Sequence, residues 1–224
     1  MIERGMIFNA EMVRAILDGR KTQTRRPVRF PVSDKNLGCE LAGNELAGEL
    51  SAGNYLNSAF GKPGHRIWVR ETWATLGNED GCCVDWEENV CKADERSAAR
   101  IYRASCEQRP GDYGLWSIPD DADWKPHTKD HKFEGAWRPS IHMPRWASRI
   151  LLEITDVRVE RLKHIPRAGI IAEGYPAERE STGGQYDPFL WYRDLWESIY
   201  GPDSWQANPW VWVIEFKRIE GGTA

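Results

Sequence analysis

The sequence predicts an α+β fold, a small β-barrel or curled sheet with short helices over its openings. Three observations predict it. "RILLEITDVRVERL" is the longest alternating run in the chain, with Ile150, Leu152, Ile154, Val157 and Val159 on one side and a register change near Asp156. "NPWVWVIEFKRI" is a closing strand whose two faces are both apolar. Between them lie two helical stretches, not the regular strand–helix alternation of a doubly wound sheet. The 224 residues are read as one domain, 1–224, with two insertions at about 31–60 and 77–136.

The elements follow in order. Met12, Val13, Ile16 and Leu17 fall on one face of a short helix, with Asn9 as its N-cap and Gly19 just past its end. Lys21 to Arg26 has no apolar face to bury and reads as a turn running into a strand that Pro27 ends. "ELAGNELAGELSAG" repeats small residues and glycines, which should break a helix every few residues, so an irregular loop is expected there. "GKPGHRIWVRETW" is a Pro-Gly turn followed by a strand through Ile67, Trp68 and Val69. Residues 77–97 carry seven acids against two bases and read as a solvated surface. "IPRAGIIAEGY" is a short helix closed by Gly174, and "DPFLWYRDLWESIYG" is a longer one, capped by Asp187 and stopped by Gly201.

Composition excludes several classes. The net charge of −4 is wrong for a non-specific nucleic-acid coat, so any such contact must use a local patch. No stretch is long enough to span a membrane and no signal-peptide core opens the chain, which predicts a soluble, cytoplasmic protein. The five cysteines contain no CxxC pair and the five histidines no ligand spacing, so reduced thiols and no metal are expected. Phosphate-loop, HExxH and GxSxG motifs are absent.

The densest reactive cluster is Lys21, Thr24, Arg25 and Arg26. A lysine becomes a base when burial or neighbouring cations lower its pKa, and a threonine hydroxyl becomes a nucleophile when a base takes its proton. The same residues also fit a solvated basic strand. Glu173 ends an apolar helix, where the helix dipole disfavours a carboxylate, a mild inconsistency that suggests a function as general base or water-activating group. "WRPSIHMPRW" sets Arg138, His142 and Arg145 among prolines and tryptophans, which suits phosphate and base recognition or pairing with acids elsewhere. Twelve tryptophans supply core, or flat surfaces for stacking a ring.

"ILDGRKTQTRR", "PGHRIWVRETW", "IAEG" and "NPWVWVIEFKRI" together resemble the ASCH domain family of the PUA-like superfamily. With "WRPSIHMPRWASRI" the likeness is greatest to its prophage-encoded branch. It covers residues 7–30, 61–73 and 137–219, and the compact members lack the two insertions. The resemblance implies a small PUA-like β-barrel with flanking short helices. Compact members hydrolyse N4-acetylcytidine and related N4-acylated cytosine nucleosides, with a lysine, a threonine and a glutamate as the proposed catalytic set. These fall on Lys21, Thr24 and Glu173. The implied partner is a modified cytosine nucleoside, with no cofactor and no metal. Arg25 and Arg26 would tune charge and hold the developing oxyanion, Arg145 would contact substrate, and Trp73 or Trp212 would stack the pyrimidine. Other members are described as RNA-binding, so the alternative is a non-catalytic RNA or modified-base binder; a ribonuclease ranks below both.

Overall fold

The computed structural model describes residues 1–77, 82–87, 89–91, 95–106 and 137–219. Its largest sheet has five strands in the order β1-β5-β8-β9-β2: β1 (Glu3–Ile7), β5 (Arg66–Arg70), β8 (Leu151–Arg161), β9 (Trp210–Ile219) and β2 (Gln23–Pro27). Strands β2 and β9 are antiparallel. Along β1 and β5 the bonds Arg66 N–H to Ile2 O and Phe8 N–H to Arg70 O advance together, so this pair is parallel and the sheet is mixed. β1 and β2 remain its two edges. The described strands therefore form an open sheet, not the closed barrel that was expected. No helix among the described residues is long and apolar enough to cross a membrane.

The chain divides into two compact units. Among the described residues, the first comprises Met1–Arg4, Ala15–Ile67 and Leu152–Ile219, and the second comprises Gly5–Arg14 and those of Trp68–Leu151. Helix α1 (Ala10–Leu17) starts in the second unit and ends in the first. Its N-cap is Asn9, whose Oδ1 accepts the Met12 N–H at 2.8 Å. Its stop is Gly19, at φ +74°.

In the first unit, β8 and β9 supply the apolar floor that their alternation predicts: Leu152, Ile154, Val157, Val211, Val213 and Ile214 are all buried. The register change near Asp156 is present, since Thr155 is exposed and Asp156 half-buried between Ile154 and Val157. Helices α4 (Arg167–Ala172), α5 (Ala177–Thr182) and α6 (Asp187–Tyr200) follow. Ile170 of α4 and Tyr192 and Trp196 of α6 pack with Leu162, Ile165, Val211 and Val213 in one cluster. Asp187 is the first residue of α6 and makes no cap bond; its carboxylate instead accepts from Arg179 and from the Tyr175 hydroxyl. Gly201 ends the helix at φ +98°.

Residues 31–60 are not the irregular loop expected. They contain a short hairpin, β3 (Val32–Ser33) and β4 (Glu40–Leu41), and helix α2 (Gly43–Ser51). The glycines of the repeat do not break α2, because Leu46 and Leu50, four residues apart, are 0% and 3% exposed and tie one face to the core. Glu45 adds a first-turn bond, accepting the Ala42 N–H at 2.8 Å.

In the second unit, β6 (Trp73–Thr75) pairs with β7 (Arg100–Tyr102), which leads into the single turn α3 (Arg103–Cys106). Ala74, Leu76, Val84, Ala99 and Ile101 form one apolar cluster, and Trp73, Tyr102, Met143 and Ala147 another. Glu71, 2% exposed, takes a two-pronged pair from Arg149 at 2.9 and 3.0 Å. Most of the expected insertion at 77–136 lies outside the described residues.

The two glycines of α2 should respond oppositely to alanine. A Cβ on Gly43 would fall inside the Trp210 indole, whereas a Cβ on Gly48 meets nothing within 4 Å. Gly43→Ala is expected to cost about 1–3 kcal/mol through overpacking. Gly48→Ala is expected to gain about 0.5–1 kcal/mol by removing mid-helix glycine entropy. Urea unfolding of both variants measures the contrast.

Candidate active site

The site forms where the end of α1, the start of β2 and the end of α4 meet. Past Gly19 the Lys21 N–H returns to Ala15 O at 2.9 Å, and the Thr22 N–H reaches Ala172 O at 2.9 Å. Lys21 and Glu173 form an isolated antiparallel bridge. Backbone contacts thus hold together two residues 152 positions apart in sequence. Close approach of α4 needs glycine at Gly174 and is tight at Gly169. A Cβ on Gly174, whose φ is +100°, would lie 2.9 Å from Ala15 Cβ and 3.2 Å from Lys21 Cβ. A Cβ on Gly169 would lie 3.1 Å from Arg25 Nη2 and 3.3 Å from Gln23 Oε1.

The Lys21 ammonium donates to Glu173 Oε2 at 2.6 Å and to the Glu173 carbonyl at 2.9 Å. Its side chain is 0% exposed and that of Glu173 3%. Glu173 Oε1 receives Arg25 Nη1 at 3.2 Å and the Tyr192 hydroxyl at 3.4 Å. Arg25 is held in turn by Glu160 at 2.8 Å and by Gln23 Oε1. Gln23 Nε2 donates to Glu215 at 2.7 Å, and Arg158 bridges Glu215 at 2.6 Å and Asp156 at 2.8 Å. The network runs outward from the two fully buried cations to side chains that are 33–38% exposed at Arg158, Asp156 and Glu215.

Burial is the largest influence on Lys21 and lowers its pKa, which Glu173 opposes and Arg26 and Arg25 reinforce. Burial also pushes the Tyr192 phenol well above its ordinary value, with the Glu173 carboxylate adding to the effect. Tyr192 is therefore a permanent donor to Glu173. Nothing in the cluster resembles a cation site: among the described residues no group of three or more His, Cys, Asp or Glu could hold a metal ion.

The expected residues divide into three sets. Lys21, Arg25 and Glu173 converge. Thr24 and Arg26 lie on β2, where side chains alternate, so they face away from Gln23 and Arg25 and toward the side of their partners Ile214 and Trp212. Thr24 is 1% exposed; Arg26 is half-buried, with Nη1 3.5 Å from the Tyr200 hydroxyl. Trp212 is 3% exposed and meets Phe60 edge-on at 5.8 Å. Trp73 and Arg145 belong to the second unit. Trp73 is 1% exposed, edge-on to Trp146 and beneath the Arg138 guanidinium; Arg145 is half-buried in a short 3-10 turn, Arg145–Ala147. Gln23, Glu160 and Tyr192 were not anticipated. The signal for the first was present: Lys21, Gln23 and Arg25 keep the two-residue period of one strand face. Arg158 and Glu160 likewise interrupt an apolar strand with charge on its other face.

The buried pair sets a stability test. Glu173→Gln leaves Lys21 and Arg25 buried without their shared counter-charge and is expected to cost about 3–5 kcal/mol at neutral pH. The sign with pH follows from Lys21. Its folded-state pKa lies below the unfolded 10.5, so across that window the unfolded chain holds the extra proton and stability rises with pH. Losing Glu173 removes the main influence raising that pKa, so the rise should begin at lower pH in Glu173→Gln and the deficit should shrink toward pH 10.5. Urea unfolding across alkaline pH, with Lys21→Met as the reference lacking this rise, checks both.

No protein-family model matches the chain, and no curated protein or solved structure does.

Proposed function

We propose that this protein is an amidohydrolase that cleaves the N4-acyl amide of N4-acetylcytidine-like nucleosides, giving cytidine and a carboxylate. The observation that carries the reading is the buried Lys21–Glu173 contact of 2.6 Å. It joins the two charged members of the catalytic set that the ASCH resemblance implies. The open five-stranded sheet is read accordingly as the core of a PUA-like fold, and the enzyme as cytoplasmic.

Amide hydrolysis needs a base, a nucleophile and stabilisation of an oxyanion. Lys21, its pKa lowered by burial, is the base in its neutral form. Glu173, fixed by Arg25 and Tyr192, orients a water against the acyl carbon. Lys21 takes a proton from that water as the new C–O bond forms. The tetrahedral intermediate then collapses, the C–N4 bond breaks, and Lys21 returns the proton to the departing N4 amino group. Stabilising the developing oxyanion, an electrostatic role worth several kcal/mol in comparable sites, falls to Arg25 on the Glu173 side, because Arg26 leaves that face together with Thr24. Two roles are open to Thr24: nucleophile activated by Lys21, or a group that orients the amide. The alternation of β2 favours the second, because a side chain one residue from Gln23 and Arg25 leaves their face.

A second reading, binding of RNA or a modified base without turnover, draws on the burial itself. Both oxygens of Glu173 are already occupied, as in a structural ion pair.

Purified protein incubated with N4-acetylcytidine, followed by the ultraviolet change as cytidine forms, separates the two. Turnover is expected, with Lys21→Ala and Glu173→Ala each losing about 10²–10⁴-fold in kcat and Thr24→Ala losing far less. The rate should rise with pH through a Lys21 pKa below 10.5. Inactivity toward a panel of N4-acyl cytosines, combined with salt-sensitive RNA binding, overturns the enzyme reading in favour of the second. Full activity in both charge variants overturns the site while leaving the reaction.

A further inference from the structure

The first unit carries an open groove that shares no residue with the buried ion pairs. Its volume is about 600 Å³, and it is lined by Phe30, Pro31, Glu40, Leu41, Ala42 and Glu45. Phe30 and Pro31 follow β2, Glu40 and Leu41 are β4, and Ala42 and Glu45 stand at the start of α2. The walls are fixed. Leu46 and Leu50 tie α2 to the core, Gly43 lies tight on the Trp210 indole, and Glu45 Oε2 accepts the Ala42 N–H at 2.8 Å. A preformed groove loses little freedom when it is filled.

What lines the rim indicates the occupant. Phe30 is 46% exposed, although a phenyl ring gains free energy by burial. Arg29 beside it and Glu40 across the groove are also exposed. Neither side chain makes an ion pair or hydrogen bond among the described residues. The patch thus carries both signs of charge around an apolar ring. A purely cationic partner would meet Arg29, and a purely anionic one would meet Glu40 and Glu45. A second copy of the same patch offers each sign its opposite. Around a two-fold axis every contact occurs twice, so groups left unpaired within one protomer can pair reciprocally across two.

We propose that this groove is a self-association surface whose occupant is a second copy of the chain. The Phe30 ring of each protomer enters the groove of the other, over Pro31 and Leu41, and Arg29 pairs with the partner's Glu40. Glu45 adds negative charge at the same rim. Burial of the two rings drives the contact. The exposed ion pairs add little affinity and fix its orientation. An interface this small is weak, and the dimer is therefore concentration-dependent.

The test is sedimentation equilibrium of the full chain, a readout independent of nucleoside turnover. A monomer–dimer equilibrium is expected. Arg29→Glu and Glu40→Arg should each weaken dimerisation roughly tenfold or more, because like charges then face each other across the axis. The double variant Arg29→Glu/Glu40→Arg restores opposite charges and should recover most of that loss. Phe30→Ser should also weaken the dimer, and added salt should narrow the differences among the charge variants. Circular dichroism and urea midpoints of the charge variants should match those of the unaltered chain, since neither side chain is bonded within the protomer. A chain that stays monomeric at its highest soluble concentration, a dimer unmoved by the three single substitutions, or a double variant no tighter than the single ones would each overturn the proposal.

Discussion

One carboxylate, Glu173, sits nine-tenths out of water between two cations that are wholly out of it. Alone, such a group would cost several kcal/mol to bury, and its place at the C-terminal end of α4 adds the unfavourable end of the helix dipole. It is tolerable only because Lys21 and Arg25 arrive at its two oxygens. That requirement reaches far along the chain. Helix α1 must stop at Gly19 so that Lys21 can turn back under Ala15, and β2 must start by Gln23 so that Arg25 points the same way. Helix α4 approaches so closely that a Cβ at Gly174 would collide with Ala15 and one at Gly169 would press on the Arg25 guanidinium and Gln23. Separate local features of the first unit therefore succeed or fail together.

Charge is graded across this network. Lys21 and Arg25 have no exposure, Glu160 has 20% and Arg158, Asp156 and Glu215 have a third or more. The inner four groups are two cations and two carboxylates, so the charge balances without help from solvent. The gradation also decides which group gives up a proton. An arginine keeps its charge in any protein environment, and Tyr192 is driven further into its neutral form by burial. Arg25 and Tyr192 thus hold Glu173 whatever the state of Lys21. Lys21 is left as the group whose proton burial loosens.

Much of this was legible in the sequence, for identifiable reasons. Helices α1 and α6 were readable because each buries one clear stripe and stops at a glycine, β8 because its apolar residues alternate, and β9 because both of its faces are apolar. Helix α2 was not, because its propensity is spoiled by Gly43 and Gly48 and its burial rests on two leucines. Edge strand β1 was not, because Met6 is the one buried residue in its pattern. Asp187 looked like a cap, but its carboxylate is drawn to Arg179 and Tyr175, groups that no local pattern places beside it. At the site, the Lys21–Glu173 meeting could be anticipated from the motif and its resemblance. Its supporting shell could not: Tyr192 reaches Glu173 from α6, on a helix face whose spacing announces only a core. Trp73 and Trp212 show the same ambiguity, since a tryptophan that packs a core and one that stacks a ligand leave the same trace in sequence.

The parity of a strand then sorts the motif's chemistry. In "KTQTRR" the residues at even separation, Lys21, Gln23 and Arg25, gather on the Glu173 side, and Thr24, at odd separation from them, joins the face of Ile214. A turn through Thr24 could have brought its hydroxyl to Lys21, but pairing with β9 begins at Gln23 and removes that freedom. A hydroxyl across the strand is poorly placed to hand its proton to Lys21, while a water beside Glu173 needs no movement of β2. The same alternation that completes the ion-pair network therefore points to water as the nucleophile of the proposed reaction, and leaves Thr24 to shape the opposite face of β2.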